Sequence, residues 1–307
     1  MTRPPLPPAA VALLACPVCG AGLTAVDDEA ALRCAGGHLF DRARQGQVSL
    51  LPPGHRPPSG DSAEMVADRV TFLDGGHYDG ISTALADSVT AGEEARTLFD
   101  VGGGTGHHLA RVLERLPGAV GVVLDSSRYA ARRAARAHPR AMAVVADSWA
   151  RWPVRDAVVD RVLVVFAPRN GAETARVLTR DGRLVVVTPA ADHLTELIGP
   201  LGLLRVDPDK AARLAASLEP HLEPVSAVVH REQLELDHPA VATLVGMGPH
   251  ARHLTPERLA AALAGLPRPV RVTVAVEIAS YRLPERRGDA PVQGPEVSIS
   301  DRLSCEP

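Results

Sequence analysis

This sequence predicts an α/β fold, a doubly wound parallel sheet preceded by a small metal-binding module, and three strand ends carry the prediction. Leu98-Phe99-Asp100-Val101 runs straight into Gly102-Gly103-Gly104-Thr105-Gly106, an apolar strand feeding a glycine turn and then a helix. Glycines at alternate positions let the backbone fold tightly and approach a ligand, and the free N–H groups of the following helix point into the same space. A second strand, residues 119–124, ends in Asp125, 19 residues after Gly106, where a βαβ unit sets an acid against ribose hydroxyls. A third, residues 141–146, ends in Asp147 with Ser148 beside it.

Each feature alone has a plainer reading. The glycine turn could be only a strand-to-helix connection, and His107 stands where a dinucleotide fingerprint wants its third glycine. Asp125 or Asp147 alone could be a helix cap. Together, the three strand ends resemble the class I S-adenosylmethionine (SAM) methyltransferases. That resemblance implies a cofactor site made of Asp100, Gly102, Gly104, Thr105, Gly106 and His107, with Asp125 on the ribose and Asp147 and Ser148 on the adenine.

Composition sets the outer bounds. The 307 residues are 46% hydrophobic, enough for a buried core, and the net charge of -3 excludes a uniformly basic, nucleic-acid-coating surface. Lys210 is the only lysine among 33 basic residues, so any RNA-binding surface is local and built on arginine. No stretch approaches the run of about 20 apolar residues that spans a membrane. Residues 9–16 resemble a short lipoprotein signal, but four prolines crowd the run and Cys16 has a better use, so a cytoplasmic protein is expected.

In chain order, residues 1–15 are rich in Pro and Ala and predict a poorly ordered start. Cys16-Pro17-Val18-Cys19 is a metal knuckle, and Cys34-Ala35-Gly36-Gly37-His38 supplies a second pair after fourteen intervening residues. Three thiols and an imidazole close a tetrahedral zinc site with no vacancy, the structural pattern. The alternative is buried thiols beside a turn histidine. Residues 22–32 predict a hairpin around Asp27-Asp28-Glu29, and residues 39–41 and 46–52 read as strand ends packing on this module. Residues 52–60 form a Pro- and Gly-rich linker between the zinc domain, 16–51, and the catalytic domain, 61–284. Asp61, with Glu64 three residues on, predicts a capped helix carrying Met65, Val66, Val70, Phe72 and Leu73. A second helix covers residues 79–90.

The ordered set Cys-x-x-Cys, Cys-x-x-x-His, Phe40-Asp41, Gly46-x-Val48-x-Leu50-Leu51-Pro52, Gly60-Asp61-Ser62-Ala63-Glu64-Met65 and Arg69-x-x-Phe72-Leu73-Asp74-x-Gly76-His77-Tyr78 resembles the 23S rRNA guanine-N1 methyltransferases of the RlmA type. The likeness runs from Cys16 to about Leu197 and is strongest to the actinomycete, tylosin-resistance branch. It implies that Cys16, Cys19, Cys34 and His38 hold one zinc ion in a domain that helps recognise RNA. It also implies SAM at the glycine turn, a homodimer with a cleft for an rRNA hairpin, and as target the guanine that this branch modifies rather than its neighbour.

The remaining core reads as helices over 106–116 and 127–138, a strand over 158–166, a helix over 171–178 and a strand over 183–188. Arginines 128, 132, 133, 136 and 140 form either a phosphate patch or a plain solvated face. Helices at 207–218, 239–245 and 256–264 alternate with apolar runs at 225–236 and 270–281, which suit closing antiparallel strands. Residues 285–307 predict a disordered tail holding a stray Cys305.

Methyl transfer needs alignment more than a covalent nucleophile, and guanine N1 must also lose a proton. Candidate bases are Asp61, Glu64 and His77. Phe166, Tyr78 or Phe72 are candidates to stack on an unstacked base. The rival readings are a small-molecule methyltransferase, which would not need the zinc module, and an inactive zinc- and SAM-binding RNA protein, which the intact glycine and acid set argues against.

Overall fold

The computed structural model describes residues 3–55, 57, 60–92, 94–202, 216–248 and 255–285. A small antiparallel sheet holds β1 (Leu23–Val26), β2 (Ala31–Cys34) and β3 (Leu39–Asp41) in that order. The hairpin between β1 and β2 turns through Asp27, Asp28 and Glu29, all at positive φ. Asp tolerates that region better than most residues.

The main sheet has eight strands: β4 (Val48–Ser49), β5 (Thr97–Val101), β6 (Val120–Asp125), β7 (Ala141–Val145), β8 (Val159–Val165), β9 (Leu178–Pro189), β10 (Glu223–Leu236) and β11 (Val270–Arg282). Their order is β10-β11-β9-β8-β5-β6-β7-β4. Strands β4 to β9 run parallel, and β11 lies antiparallel to both β9 and β10. The two apolar runs near the C-terminus are therefore the closing strands expected of them. From β5 the chain builds β6 and β7 on one side and β8 and β9 on the other. A switch point lies between β5 and β8, where open α/β sheets take their ligands.

Central strands are buried on both faces, which is why they read as nearly continuous apolar runs. One face packs on α2 (Ala63–Asp74) and α3 (Asp79–Thr90) through Phe72, Ile81 and Leu85. On the other, Phe99 of β5 packs against Trp152 in a cluster that includes Leu14. Helices His107–Arg115, Arg128–Ala134, Gly171–Val177, His238–Gly246 and Pro256–Ala264 lie where the sequence predicts them.

Four expectations change. The start of the chain packs on the fold: a short helix, Pro8–Val11, forms, and Leu6, Ala10, Val11, Leu13 and Leu14 are buried. Their apolar side chains cover the sheet, which offsets the entropy of ordering the segment. The second strand end, expected on the zinc module, instead forms β4 at the edge of the main sheet, so the boundary at residue 51 cuts through a sheet. Ser62 rather than Asp61 caps α2, its Oγ accepting from the Met65 N–H at 3.2 Å. The arginine face is only partly free, because Arg140 donates to the carbonyls of Leu113, Leu116 and Ala119 and closes the C-terminus of the preceding helix. The predicted helix at 207–218 lies almost wholly outside the described residues, as do residues 286–307 with Cys305.

Candidate functional site

The metal centre is built by a knuckle and a strand end. Gly20, in the left-handed region, donates its N–H to the Cys16 carbonyl at 2.8 Å, folding the Cys16–Cys19 loop back on itself. Cys34 closes β2, and His38 follows a tight turn. The Cys16 Sγ to His38 Nδ1, Cys19 Sγ to Cys34 Sγ and Cys34 Sγ to His38 Nδ1 distances are 3.6, 3.6 and 3.3 Å, and all four donor atoms lie within 4.8 Å of one another. An ion about 2.3 Å from each sulfur needs ligand-to-ligand edges of about 3.8 Å. Three thiols and one imidazole at this spacing fit zinc. Burial pushes the Cys34 thiol up, but hydrogen bonds with His38, Cys19 and Cys16 together outweigh it and bring the group down to about 6.

The second site lies along the C-terminal rim of β5, β6, β7 and β8. Gly102, Gly104 and Gly106 have φ of +64°, +58° and +77°. What a Cβ at Gly102 would strike is protein, the Ala167 side chain at 2.7 Å, so the turn after β5 is packed against the loop after β8. Asp125 holds the turn from below: its Oδ2 accepts from the Gly104 N–H at 2.9 Å and its Oδ1 from the Ser127 N–H at 2.7 Å. Burial raises its carboxyl, opposed by those two N–H groups.

Asp100 is 1% exposed, and neither carboxylate oxygen has a hydrogen-bond partner among the described residues. Burial, with the Asp125 charge nearby, pushes it up to about 7. A buried acid left open beneath a glycine turn fits a cofactor with polar groups to offer. Asp147 accepts from the Trp149 N–H at 2.9 Å and pairs with His55 Nε2 at 2.8 Å, and Ser148 and Thr105 are buried. His107 Nε2 lies 3.8 Å from the Asp79 carboxylate.

Two of the three candidate bases, Asp61 and Glu64, are engaged by neighbouring groups, and the third is packed on an aromatic ring. Asp61 pairs with Arg69, Glu64 serves the first turn of α2 beside the Ser62 hydroxyl, and His77 packs on Phe72 with ring centroids 4.7 Å apart. Phe72 is fully buried core. The other two aromatics do meet at the rim: Tyr78 and Phe166 lie 6.3 Å apart, and His193 is 6.4 Å from the first and 5.9 Å from the second. Phe166 is 42% exposed and sits at φ +53°, a strained conformation at the strand end that borders the switch point.

Comparison with known proteins fits this geometry. The family profile for the RlmA N-terminal zinc ribbon matches residues 14–57. The chain is 49% identical over 271 residues to the 23S rRNA (guanine(748)-N(1))-methyltransferase of Streptomyces fradiae, covering 87% of this chain and 95% of that one. It is 52% identical over 286 residues to a Micromonospora griseorubida protein assigned by name to the 23S rRNA guanine-N1 methyltransferases, covering 88% and 97%. This chain belongs to the 23S rRNA (guanine-N1)-methyltransferase family. A Bacillus subtilis protein assigned by name to the same group is 33% identical over 59% of the chain.

As a member of this family, the protein holds two residues at the rim that sequence patterns did not single out. Arg69 pairs with Asp61, donates to the Met247 carbonyl at 2.8 Å and lies against Gly104, so it bridges α2, the glycine turn and the C-terminal part of the fold. Its place in Arg69-x-x-Phe72 was visible, but nothing local says where the guanidinium goes. His193 follows β9 and accepts the Ala275 N–H at Nδ1, 3.2 Å. Burial pushes it down to about 4, so it is a neutral ring whose proton sits on Nε2. Among the described residues no helix is long and apolar enough to cross a membrane.

Proposed function

We propose that the protein transfers a methyl group from SAM to N1 of a 23S rRNA hairpin guanine, the one numbered 748 in the name of its S. fradiae relative, and that this modification confers macrolide resistance. The carrying observation is the contact between Ala167 and Gly102, which brings the loop that bears Phe166 against the glycine turn, with Tyr78 and His193 gathered around Phe166. In this reading Asp125 keeps lone pairs for the ribose hydroxyls, Asp147 and Ser148 meet the adenine, and Asp100 with Gly102, Gly104, Thr105 and Gly106 cradles the rest. Bound SAM supplies a sulfonium-activated methyl group. Phe166 stacks on the unstacked guanine, and the His193 Nε2–H donates to its O6. Such a donor stabilises the negative charge that O6 shares once N1 gives up its proton, so the proton can pass to water without a dedicated carboxylate. Cys16, Cys19, Cys34 and His38 hold zinc in a module that shares in RNA recognition.

The protein acts as a homodimer. Edge strand β10 carries Val225, Val228 and Val229 at 41, 52 and 50% exposure, and an open apolar edge invites pairing with a second copy.

Primer extension tests the reaction, since methyl at N1 blocks Watson–Crick pairing. Hairpin RNA treated with enzyme and SAM is expected to stop the polymerase next to guanine 748; methyl incorporated at another base, or none at all, overturns the proposal.

A further inference from the structure

Of the nine Phe, Trp and Tyr residues in the chain, three are exposed: Tyr129 at 38%, Trp149 at 61% and Phe166 at 42%. All three follow the C-terminal ends of parallel strands, β6, β7 and β8, and so lie along one rim of the sheet. Single exposed apolar side chains are ordinary; three aromatics gathered on the rim that carries the site are not. Trp149 is the most exposed, yet its backbone is pinned. Its N–H donates to Asp147 Oδ1 at 2.9 Å, and its carbonyl accepts from Asn170 Nδ2 at 3.4 Å, four residues beyond Phe166. The loop after β7 is thereby tied to the loop after β8. Trp152, three residues on, is the opposite case: it is buried on Phe99, with its Nε1–H donating to the Ser148 carbonyl at 3.0 Å. Two arginines lie in the same loops: Arg128 is 5.0 Å above the Tyr129 ring, and Arg151, two residues after Trp149, is 69% exposed and pairs with Asp156 at 3.6 Å.

An exposed indole on a backbone pinned at both its N–H and its carbonyl, with an exposed arginine two residues on, suits a nucleobase attached to phosphate. Only a base outside a duplex can lie flat on it. We infer that Trp149 is a stacking platform for an unpaired base of the RNA substrate adjacent to the target guanine. The inference rests on the rRNA reading above and extends it to a specific contact. Phe166 takes the target base; Trp149 holds a neighbour, which keeps the strand splayed while the target is out of the stack.

The test uses full-length protein, hairpin RNA, a fully paired duplex of the same length, and SAM. Only two tryptophans are present, and Trp152 is shielded, so quenching of emission reports Trp149. Hairpin RNA is expected to quench it, whereas duplex RNA and SAM alone leave it unchanged. Trp149→Ala is expected to bind the hairpin about ten-fold more weakly, the effect of one lost base stack. SAM affinity and the salt dependence of RNA binding should stay at wild-type values, because no phosphate contact is lost. Trp149→Phe should recover most of the affinity, and with the quenching data it carries the test if the alanine variant fails to fold. Quenching by SAM alone would assign Trp149 to the cofactor pocket and overturn the inference. Wild-type hairpin affinity in Trp149→Ala, with methylation by the wild-type protein intact, would sink this inference alone; a wild-type protein that neither binds nor methylates the hairpin would sink the rRNA reading with it.

Discussion

Val48 stands in parallel register with Val144, and Ser49 with Val145, so the last strand of the zinc-bearing segment is the edge strand of the main sheet. The Leu50 N–H continues the pairing, donating to the Val145 carbonyl at 3.0 Å. A cleft of about 700 Å³ is walled by Asp41, Arg42 and Gln47 on one side and by Asp61, Ser127 and Tyr129 on the other. The zinc-bearing segment is thus tied into the main sheet through β4, while β1, β2 and β3 form a sheet of their own.

A chain starting at Gly60 keeps the glycine turn and the strand-end acids, yet is expected to fail to fold. It loses β4, one wall of the cleft, and the buried Leu13, Leu14 and Leu50 that pack on Phe99 and Val144. Each such leucine contributes about 1.5–3 kcal/mol, against a total stability of about 5–15 kcal/mol for a typical domain. Thermal unfolding followed by circular dichroism should show no cooperative transition near that of the whole protein. Wild-type SAM affinity in the truncated chain, measured by calorimetry, would refute the continuity argument.

Metal removal should act more locally. Purified protein is expected to contain about one zinc per chain, and Cys34→Ser to contain none, because a tetrahedral site rarely survives on three ligands. With β4 still paired to β7, the variant should keep SAM binding while its melting midpoint falls. Elemental analysis finding no zinc in the wild-type protein would remove the site.

Much of this was legible because it is local. A strand, a glycine turn and an acid at a fixed distance are short-range patterns, and so is the spacing of Cys16, Cys19, Cys34 and His38. What escaped depends on distant partners. Residues 48–51 are apolar enough for either sheet, and only pairing with Val144, 96 residues away, decides between them. Asp61 and Ser62 can both cap α2; Arg69 takes Asp61 and leaves the cap to Ser62. His193 belongs to no motif, and its meaning comes from Ala275, Tyr78 and Phe166.

Asp100 should leave a signature in stability against pH. Its folded value is pushed up to about 7 by burial and then by Asp125, above the ordinary 3.8. A raised value means the folded state holds its proton longer than the unfolded chain, so this contribution is complete below about pH 4 and is lost as pH rises to 7. Asp100→Asn keeps the shape and removes the titration. Its melting midpoint is expected to gain on the wild type steadily between pH 4 and 7 and to hold that advantage above, while its SAM affinity falls. A constant difference across that range would mean that Asp100 is ionised throughout.

His193 makes the sharpest prediction about chemistry. Burial holds its ring down to about 4, below the ordinary 6.5, so the stability it contributes is present above pH 6.5 and is lost as pH falls toward 4. His193→Gln should flatten that acid limb. For catalysis, the proton on Nε2 is what counts: Nδ1 is committed to the Ala275 N–H, and the ring lies 6.4 Å from Tyr78 and 5.9 Å from Phe166. If it donates to guanine O6, the bond strengthens as charge develops, so its loss should appear in kcat more than in KM. His193→Phe preserves the packing and removes the donor, and is expected to cost about 10²–10³ in kcat, as for one donor to a developing oxyanion. His193→Gln, which keeps an N–H, should recover part of that. Wild-type kcat in His193→Phe would show that the ring only packs, and the proton on N1 would then need another route out.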